Sequence, residues 1–359
     1  MPRPRTVCYL GAYDPDYPRN QILRLGLAAH GVNVVECRVS KTLPTLRKLP
    51  ALIRQYATVY RQCDCVVLAE FGQSLALPVW LLTRLTRRPL LTDLLISYYD
   101  MAVAVRRDTR PGTLAAYRYW WLDAIAVRYT RAALVDAEPH RQHFIQTFGG
   151  DPRFIHVLPL GVNNAHFTPR GAPPHDGTLV QYVGSYTPAH GVLTLLRAAH
   201  QLQHRPDLRF EFIGTGQDRP AAEDYAHQHA LTNVTFRDPV PYADLPDHIA
   251  RADLCLGEFG DTPQTRRGLA NKVYQTLAMR KPLLAGDTES LRSLFTPGQH
   301  LHTTPLADAP ALAAAIAHYA DHPAEAAALA TAGHAHVSAN FTPGPLAARL
   351  LAIAETLPQ

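Results

Sequence analysis

One pattern restricts what this chain can become. Short apolar runs end in glycine or a polar turn, and each is followed by a helical stretch and then by another apolar run. Thr6-Val7-Cys8-Tyr9-Leu10 ends at Gly11, a helix is expected from about Arg19 to His30, and Val32 to Cys37 returns as a strand. Strand, helix and strand running this way form a βαβ unit, whose sheet is parallel and covered by helices. Apolar runs at 65–69, 89–92, 133–136 and 155–158 continue the same sheet. Open sheets of this kind bind ligands beyond the C-terminal ends of their strands. Asp14, Asp16, Phe71-Gly72-Gln73, Asp93 and Asp100 all fall there. Asp14 and Asp16 can equally be loop acids that cap a helix.

The pattern then breaks and restarts. Residues 167–177, FTPRGAPPHDG, are rich in Pro and Gly and have no periodicity, which marks a linker. Beyond it, Leu179–Val183 ends in Gly184-Ser185, His190-Gly191 opens a helix, and Arg209–Ile213 ends in Gly214-Thr215-Gly216. The fold class is therefore α/β with two domains, a first over 1–166 and a second over 178–342, with a last helix over 343–359. A chain of 359 residues, 47% hydrophobic and 18% charged, can bury two such cores.

Composition excludes several classes of function. The first loop is not G-x-G-x-x-G, so no dinucleotide fingerprint is present. Neither a P-loop, a G-x-S-x-G elbow nor HExxH occurs, which leaves nucleotide hydrolysis and two common hydrolase classes without support. A net charge of +5 suits anionic ligands or an anionic membrane surface and carries no nucleic-acid motif. The five cysteines have no secreted-domain spacing and read as reduced, structural thiols in a cytoplasmic protein, with no signal peptide and no metal set. Lys41 to Arg61 is a basic amphipathic segment, with Leu43, Leu52 and Ile53 among its apolar positions. Such a helix packs on a domain core or lies on the inner face of an anionic membrane, as a peripheral contact.

The stretch Arg266 to Gly286 carries the most chemistry. It reads as a basic loop, a helix with Asn271 as N-cap, a stop at Pro282 and a buried strand. Arg266, Arg267 and Lys272 gather where the helix dipole is positive, a place that cations avoid. A bound anion would resolve the conflict, since free amides and basic side chains could converge on it. A solvated basic loop before a core helix is the plainer alternative. Gly184, Gly191, Gly214 and Gly216 let backbone amides approach the same anion, although each alone is an ordinary turn glycine.

In their order, strand-Gly184, His190-Gly191-Val192, Phe212-Ile213-Gly214-Thr215-Gly216, Arg251-Ala252-Asp253, and Asn271-Lys272-Val273-Tyr274-Gln275 to Lys281-Pro282 resemble the family-4 (group 1) glycosyltransferases of GT-B fold. Leu158-Pro159-Leu160-Gly161-Val162 resembles the segment by which that family leaves its first domain. The resemblance implies two Rossmann-like domains facing a central cleft, with the last helix crossing back to the first. It implies metal-independent transfer of a hexose from a nucleoside diphosphate sugar to a lipid-linked or saccharide acceptor, usually with retention and without a cofactor. Asn271, Lys272, Gly184, Ser185, Gly191, Gly214, Gly216, Arg266 and Arg267 would surround the phosphates, and Gln275 the ribose. Val240 would border the base, and Gly11 would face the diphosphate and acceptor. Asp93, Asp100 and His190 are the candidates beside the reacting sugar. The chain departs from the family at Gln275 and near Arg267, where glutamates are expected, and at Ser185 and His190, where an Arg and Lys pair would hold the diphosphate. These departures leave two alternatives, a non-catalytic GT-B subunit that binds sugar or a partner, and a sugar-nucleotide epimerase.

Overall fold

The computed structural model describes residues 3–106 and 108–357; side-chain surroundings at 45, 46 and 104 lie outside the description. The chain divides into two compact units, Met1–Asn163 together with Phe341–Gln359, and Asn164–Asn340. The stretch expected as a linker, 167–177, falls within the second unit. Phe167 is buried there and meets His166 and Tyr242 edge-on.

The first unit alternates strand and helix: β1 (Thr6–Gly11), α1 (Pro18–Ala29), β2 (Asn33–Arg38), α2 (Thr45–Val59), β3 (Cys65–Leu68), α3 (Gln73–Leu85) and β4 (Leu90–Leu95). It continues with α4 (Tyr98–Asp100), a π-helical turn at Met101–Val105, α5 (Leu114–Tyr129), β5 (Ala133–Val135), α6 (Glu138–Phe148) and β6 (Ile155–Val157). The strands form one parallel sheet in the order β2-β1-β3-β4-β5-β6. β3 and β4 are buried along their whole length, as central strands with helices on both faces must be. α2 is the basic segment. Its Leu52 and Tyr56 are buried in the core and Ile53 is exposed, so the apolar stripe is spent on the protein interior. All five cysteines are free and buried.

The second unit repeats the plan: β7 (Thr178–Val183), α7 (Val192–Gln201), β8 (Leu208–Ile213), α8 (Arg219–Gln228), β9 (Val234–Arg237), α9 (Leu245–Arg251) and β10 (Leu254–Leu256). Then come α10 (Pro263–Arg267), α11 (Asn271–Ala278), β11 (Leu283–Gly286), α12 (Glu289–Leu294), β12 (His302–Thr304), α13 (Ala309–Asp321) and α14 (Pro323–Asn340). Its sheet is parallel in the order β12-β11-β10-β7-β8-β9. The last helix, α15 (Pro343–Glu355), belongs to the first unit. Its Leu346, Ala347, Leu350, Leu351 and Ala354 share a buried cluster with Ile22, Leu23 and Leu27 of α1.

Candidate functional site

In the second unit the expected groups cluster at the C-terminal ends of β7, β8 and β10. Gly184 follows β7 and lies under Lys272: a Cβ on Gly184 would stand 2.5 Å from the Lys272 ammonium. A Cβ on Gly214, after β8, would strike the Gly184 carbonyl at 1.9 Å. Only glycine allows these backbones and the lysine to meet. Arg219 fastens the second loop, donating to the Gly214 carbonyl at 2.8 Å while paired with Glu223 and Asp238. His190-Gly191 is stitched to the loop after β10, because the Phe259 amide donates to the His190 carbonyl at 3.1 Å. Thr265 of α10 donates to the Ala189 carbonyl at 2.8 Å.

Lys272 is the centre of this arrangement. It stands in the first turn of α11, is buried, and lies 4.1 Å over the ring of Tyr182. Its Nζ has no hydrogen-bond partner among the described residues. Burial lowers its pKa to about 8, with the charge of Glu258 opposing that shift. A buried ammonium with three unsatisfied donors is costly unless something anionic completes it.

Glu258, just past β10, is a residue that the sequence reading missed. Burial alone would raise its pKa. The hydrogen bond and charge of His190, the charge of Lys272 and the Ala270 amide together hold it below the ordinary carboxylate range. His190 Nε2 lies 2.8 Å from the Glu258 carboxylate, and its Nδ1 meets the Ser185 carbonyl. Both ring nitrogens thus face oxygen acceptors. The available signal was position: an acid two residues past the end of a parallel strand.

Several expectations need correction. Asn271 is not the N-cap of α11; it is the first helical residue, Ala270 occupies the cap, and no side chain caps the end. The Val273 amide turns back to the Ala270 carbonyl at 3.1 Å, while the Asn271 Oδ1 is buried without a hydrogen-bond partner. The expected loop at Arg266 is helical, because Thr262 caps α10 by accepting from the Thr265 amide and Pro263 fits its first turn. Arg266 points to Asp261 at 2.6 Å and is largely exposed, so it is already neutralised outside the cluster. Arg267 is half-buried. Gln275 is buried and shares a hydrogen bond with the Tyr242 hydroxyl, which brings the proposed ribose residue to the loop that starts at Val240. His166 stacks on Tyr242 at 4.9 Å and holds that loop.

In the first unit, Asp93 is fully buried in β4, and both its oxygens are bound by Arg19 at 2.7 and 3.0 Å. The same guanidinium donates to the Leu158 and Pro159 carbonyls. Asp93 is thus a structural clamp, closed off from solvent. Asp100 is buried against α6, with an oxygen 3.0 Å from His143 Nε2, and does not open to the C-terminal edge as expected. Gly11 does lie at that edge, and its neighbour Ala12 lines a cavity of about 350 Å³ with Lys41, Glu70, Phe71, Tyr98, Arg106 and Tyr119. Glu70 is buried, paired with Lys41 at 3.2 Å, and its Oε2 has no hydrogen-bond partner. Burial raises its pKa to about 7, against the pull of Lys41. Phe71 stacks on Tyr98 across a centroid distance of 6.4 Å. Among the described residues, no three of His, Cys, Asp and Glu converge as a metal site, and no helix is long and apolar enough to cross a membrane.

Comparison with known proteins meets this geometry. The glycosyl transferase-like family model matches residues 194–352. The GDP-mannose-dependent monoacylated alpha-(1-6)-phosphatidylinositol monomannoside mannosyltransferase of Corynebacterium glutamicum is 27% identical over 238 residues, which is 61% of this chain and 60% of that protein. The chain spans 60% or less of the length of the curated relatives it matches. Among solved structures, the sucrose-phosphate synthase of Thermosynechococcus elongatus superposes with a TM-score of 0.76 at 17% identity, covering 98% of both chains. Anabaena HepE in complex with UDP superposes with a TM-score of 0.73 at 15% identity, covering 98% of this chain and all of that one. The two parallel sheets are thus those of the GT-B fold, and over residues 194–352 the chain is similar to the glycosyl transferase-like family.

Proposed function

We propose that this protein is a family-4-type glycosyltransferase that moves a hexose from a nucleoside diphosphate sugar to a lipid-linked or saccharide acceptor. The observation that carries the reading is Lys272, a buried ammonium without a hydrogen-bond partner at the uncapped start of α11. Together with amides at the start of α11 it would meet the diphosphate. The negative charge of the leaving group grows as the glycosidic bond breaks, and fixed donors stabilise it without having to reorganise. The resemblance favours retention and needs no metal. Gln275 would hold a ribose hydroxyl and the loop from Val240 to Tyr242 would border the base. The likeness to HepE, solved with UDP and with UDP-glucose, supports a uridine donor, and the likeness to a GDP-mannose-dependent enzyme supports a guanosine one. The cavity beside Glu70 is the acceptor side of the same reading. Its aromatic rings offer faces to a sugar, and Glu70 can accept from a sugar hydroxyl.

Calorimetry with UDP-glucose and GDP-mannose tests the donor. One of the two should bind, and Lys272→Ala should weaken it by about 1.5–3 kcal/mol, the range for a charge-assisted hydrogen bond. An unchanged affinity would remove Lys272 from the donor site. A second reading, a non-catalytic subunit, draws on the engagement of His190 by Glu258 and of Gln275 by Tyr242. Donor that stays intact beside a panel of acceptors, followed by mass spectrometry, would favour that reading.

A further inference from the structure

The outer layer of the first unit carries a surface that glycosyl transfer does not use. Of the eight large apolar side chains exposed among the described residues, five sit on α3 and α5, which pack side by side. Leu81 and Leu85 are four apart on α3; Leu114, Tyr117 and Trp121 follow at helical spacing on α5. Leu85 is 83% exposed, Leu114 89% and Trp121 59%. Single exposed leucines are ordinary, but a stripe of them with aromatic rings on adjoining helices is a docking surface.

The charge carried by these two helices and the turns after them is mostly positive. Arg84, Arg87, Arg88 and Arg131 line a groove of about 520 Å³ at the start of β4, and Arg118 and Arg128 lie exposed along α5. Between Phe71 and Val135 the only acids are Asp93, Asp100, Asp108 and Asp123. Three of these are buried, and Asp108 lines the cavity of Glu70. Leucine, tryptophan and tyrosine on helices whose exposed charges are mostly arginines match the boundary of a negatively charged bilayer: rings and leucines enter the headgroup region while guanidiniums meet phosphates.

We propose that the outer face of α3 and α5 docks on an anionic lipid bilayer, with Leu85, Leu114 and Trp121 entering it and Arg84 and Arg87 contacting headgroup phosphates. This places membrane contact away from the 41–61 segment, whose Leu52 and Tyr56 are buried in the core. It also gives the acceptor side a source. α5 carries Tyr119, which lines the cavity of Glu70, so a lipid-linked acceptor held in the bilayer lies beside that cavity.

Cosedimentation of the full chain with phosphatidylcholine vesicles, with and without about one-third phosphatidylglycerol, tests the proposal without any donor or acceptor. Binding should require phosphatidylglycerol and fall sharply at about 0.5 M NaCl, where surface charge is screened. Each arginine near an anionic surface strengthens binding about fivefold, so Arg84→Gln with Arg87→Gln should weaken it by more than tenfold. Leu85→Ser with Leu114→Ser and Trp121→Ser should abolish it while leaving the thermal melt of these exposed positions unchanged. Ile53→Ser on α2 should leave binding intact. Equal binding to neutral vesicles, wild-type binding by the serine variant, or loss with Ile53→Ser would each overturn the proposal. So would self-association of the parent, without vesicle binding, that the serine variant removes. Nucleotide binding in the second unit is read separately, so failure here leaves the donor reading standing.

Discussion

Lys272 sets the pH behaviour of the second unit. Its folded pKa is about 8, against 10.5 for an unburied lysine. Below pH 8 both folded and unfolded states hold the proton, and the cost of burying the charge is present in full. Between about pH 8 and 10.5 the unfolded state binds more protons, so stability rises with pH through that window. Lys272→Met should therefore stabilise the apoprotein below pH 8, by up to about 2–3 kcal/mol, and that advantage should vanish by pH 10.5 in denaturant titrations. Donor affinity should run the other way and fall above pH 8 as the ammonium is lost. Asp93 gives the contrasting case. Asp93→Asn leaves Arg19 buried beside a neutral partner, and chemical denaturation should show a loss of about 3–5 kcal/mol. Stability unchanged with activity lost would restore Asp93 as a group acting on substrate. The two residues look alike in the sequence, each being a charge at the boundary of an element, Asp93 after an apolar run and Lys272 at a helix start. Which of them is neutralised depends on Arg19 and on the Leu158 and Pro159 carbonyls, far away in the chain.

Elements were legible where periodicity and punctuation agreed. The strands ending at Gly11, Gly184 and Gly214, and the helix closed by Pro282, stand where glycine and proline place them. α10 was missed because five residues cannot display a period; the Thr262 cap and Pro263 were its only marks. Asn271 was misread because a good capping residue stood one position too late, inside the helix. Glu258 and Glu70 were overlooked as single acids beyond short strands, and their meaning comes from burial. Packing between elements left one sign in the sequence, a glycine within a helix. A Cβ on Gly26 of α1 would stand 2.0 Å from the Pro343 carbonyl and 2.7 Å from the Ala347 side chain. The last helix lies against α1 because nothing projects there. Gly26→Ala improves helix propensity, yet should destabilise the first unit by about 1–3 kcal/mol in thermal unfolding, since overpacking outweighs propensity. A neutral result would show that α15 can shift without loss.

At the scale of the whole molecule, each unit carries its own parallel sheet, and the donor candidates other than Gly11, Asp93 and Asp100 come from the second alone. The doubled alternation made both sheets readable; the placement of the final helix came only from the resemblance, because nothing local marks which core an amphipathic helix joins. α15 buries Leu346, Leu350 and Leu351 against the first unit, each contributing about 1.5–3 kcal/mol. Ending the chain at Asn340 should therefore lower the unfolding temperature of the first unit sharply while the second still binds whichever of UDP-glucose and GDP-mannose the parent binds, as calorimetry would show. Loss of both together would mean that the units unfold as one.

The same return of the chain has a consequence for biogenesis. The second unit is one continuous stretch and can fold as soon as it has left the ribosome. The first begins to emerge earlier and is completed later, since its closing helix is made after the whole second unit. Until α15 arrives, the groove over Ile22, Leu23 and Leu27 stays uncovered, and the nascent chain carries an exposed greasy surface through most of its own synthesis. That interval is when a chaperone has something to hold.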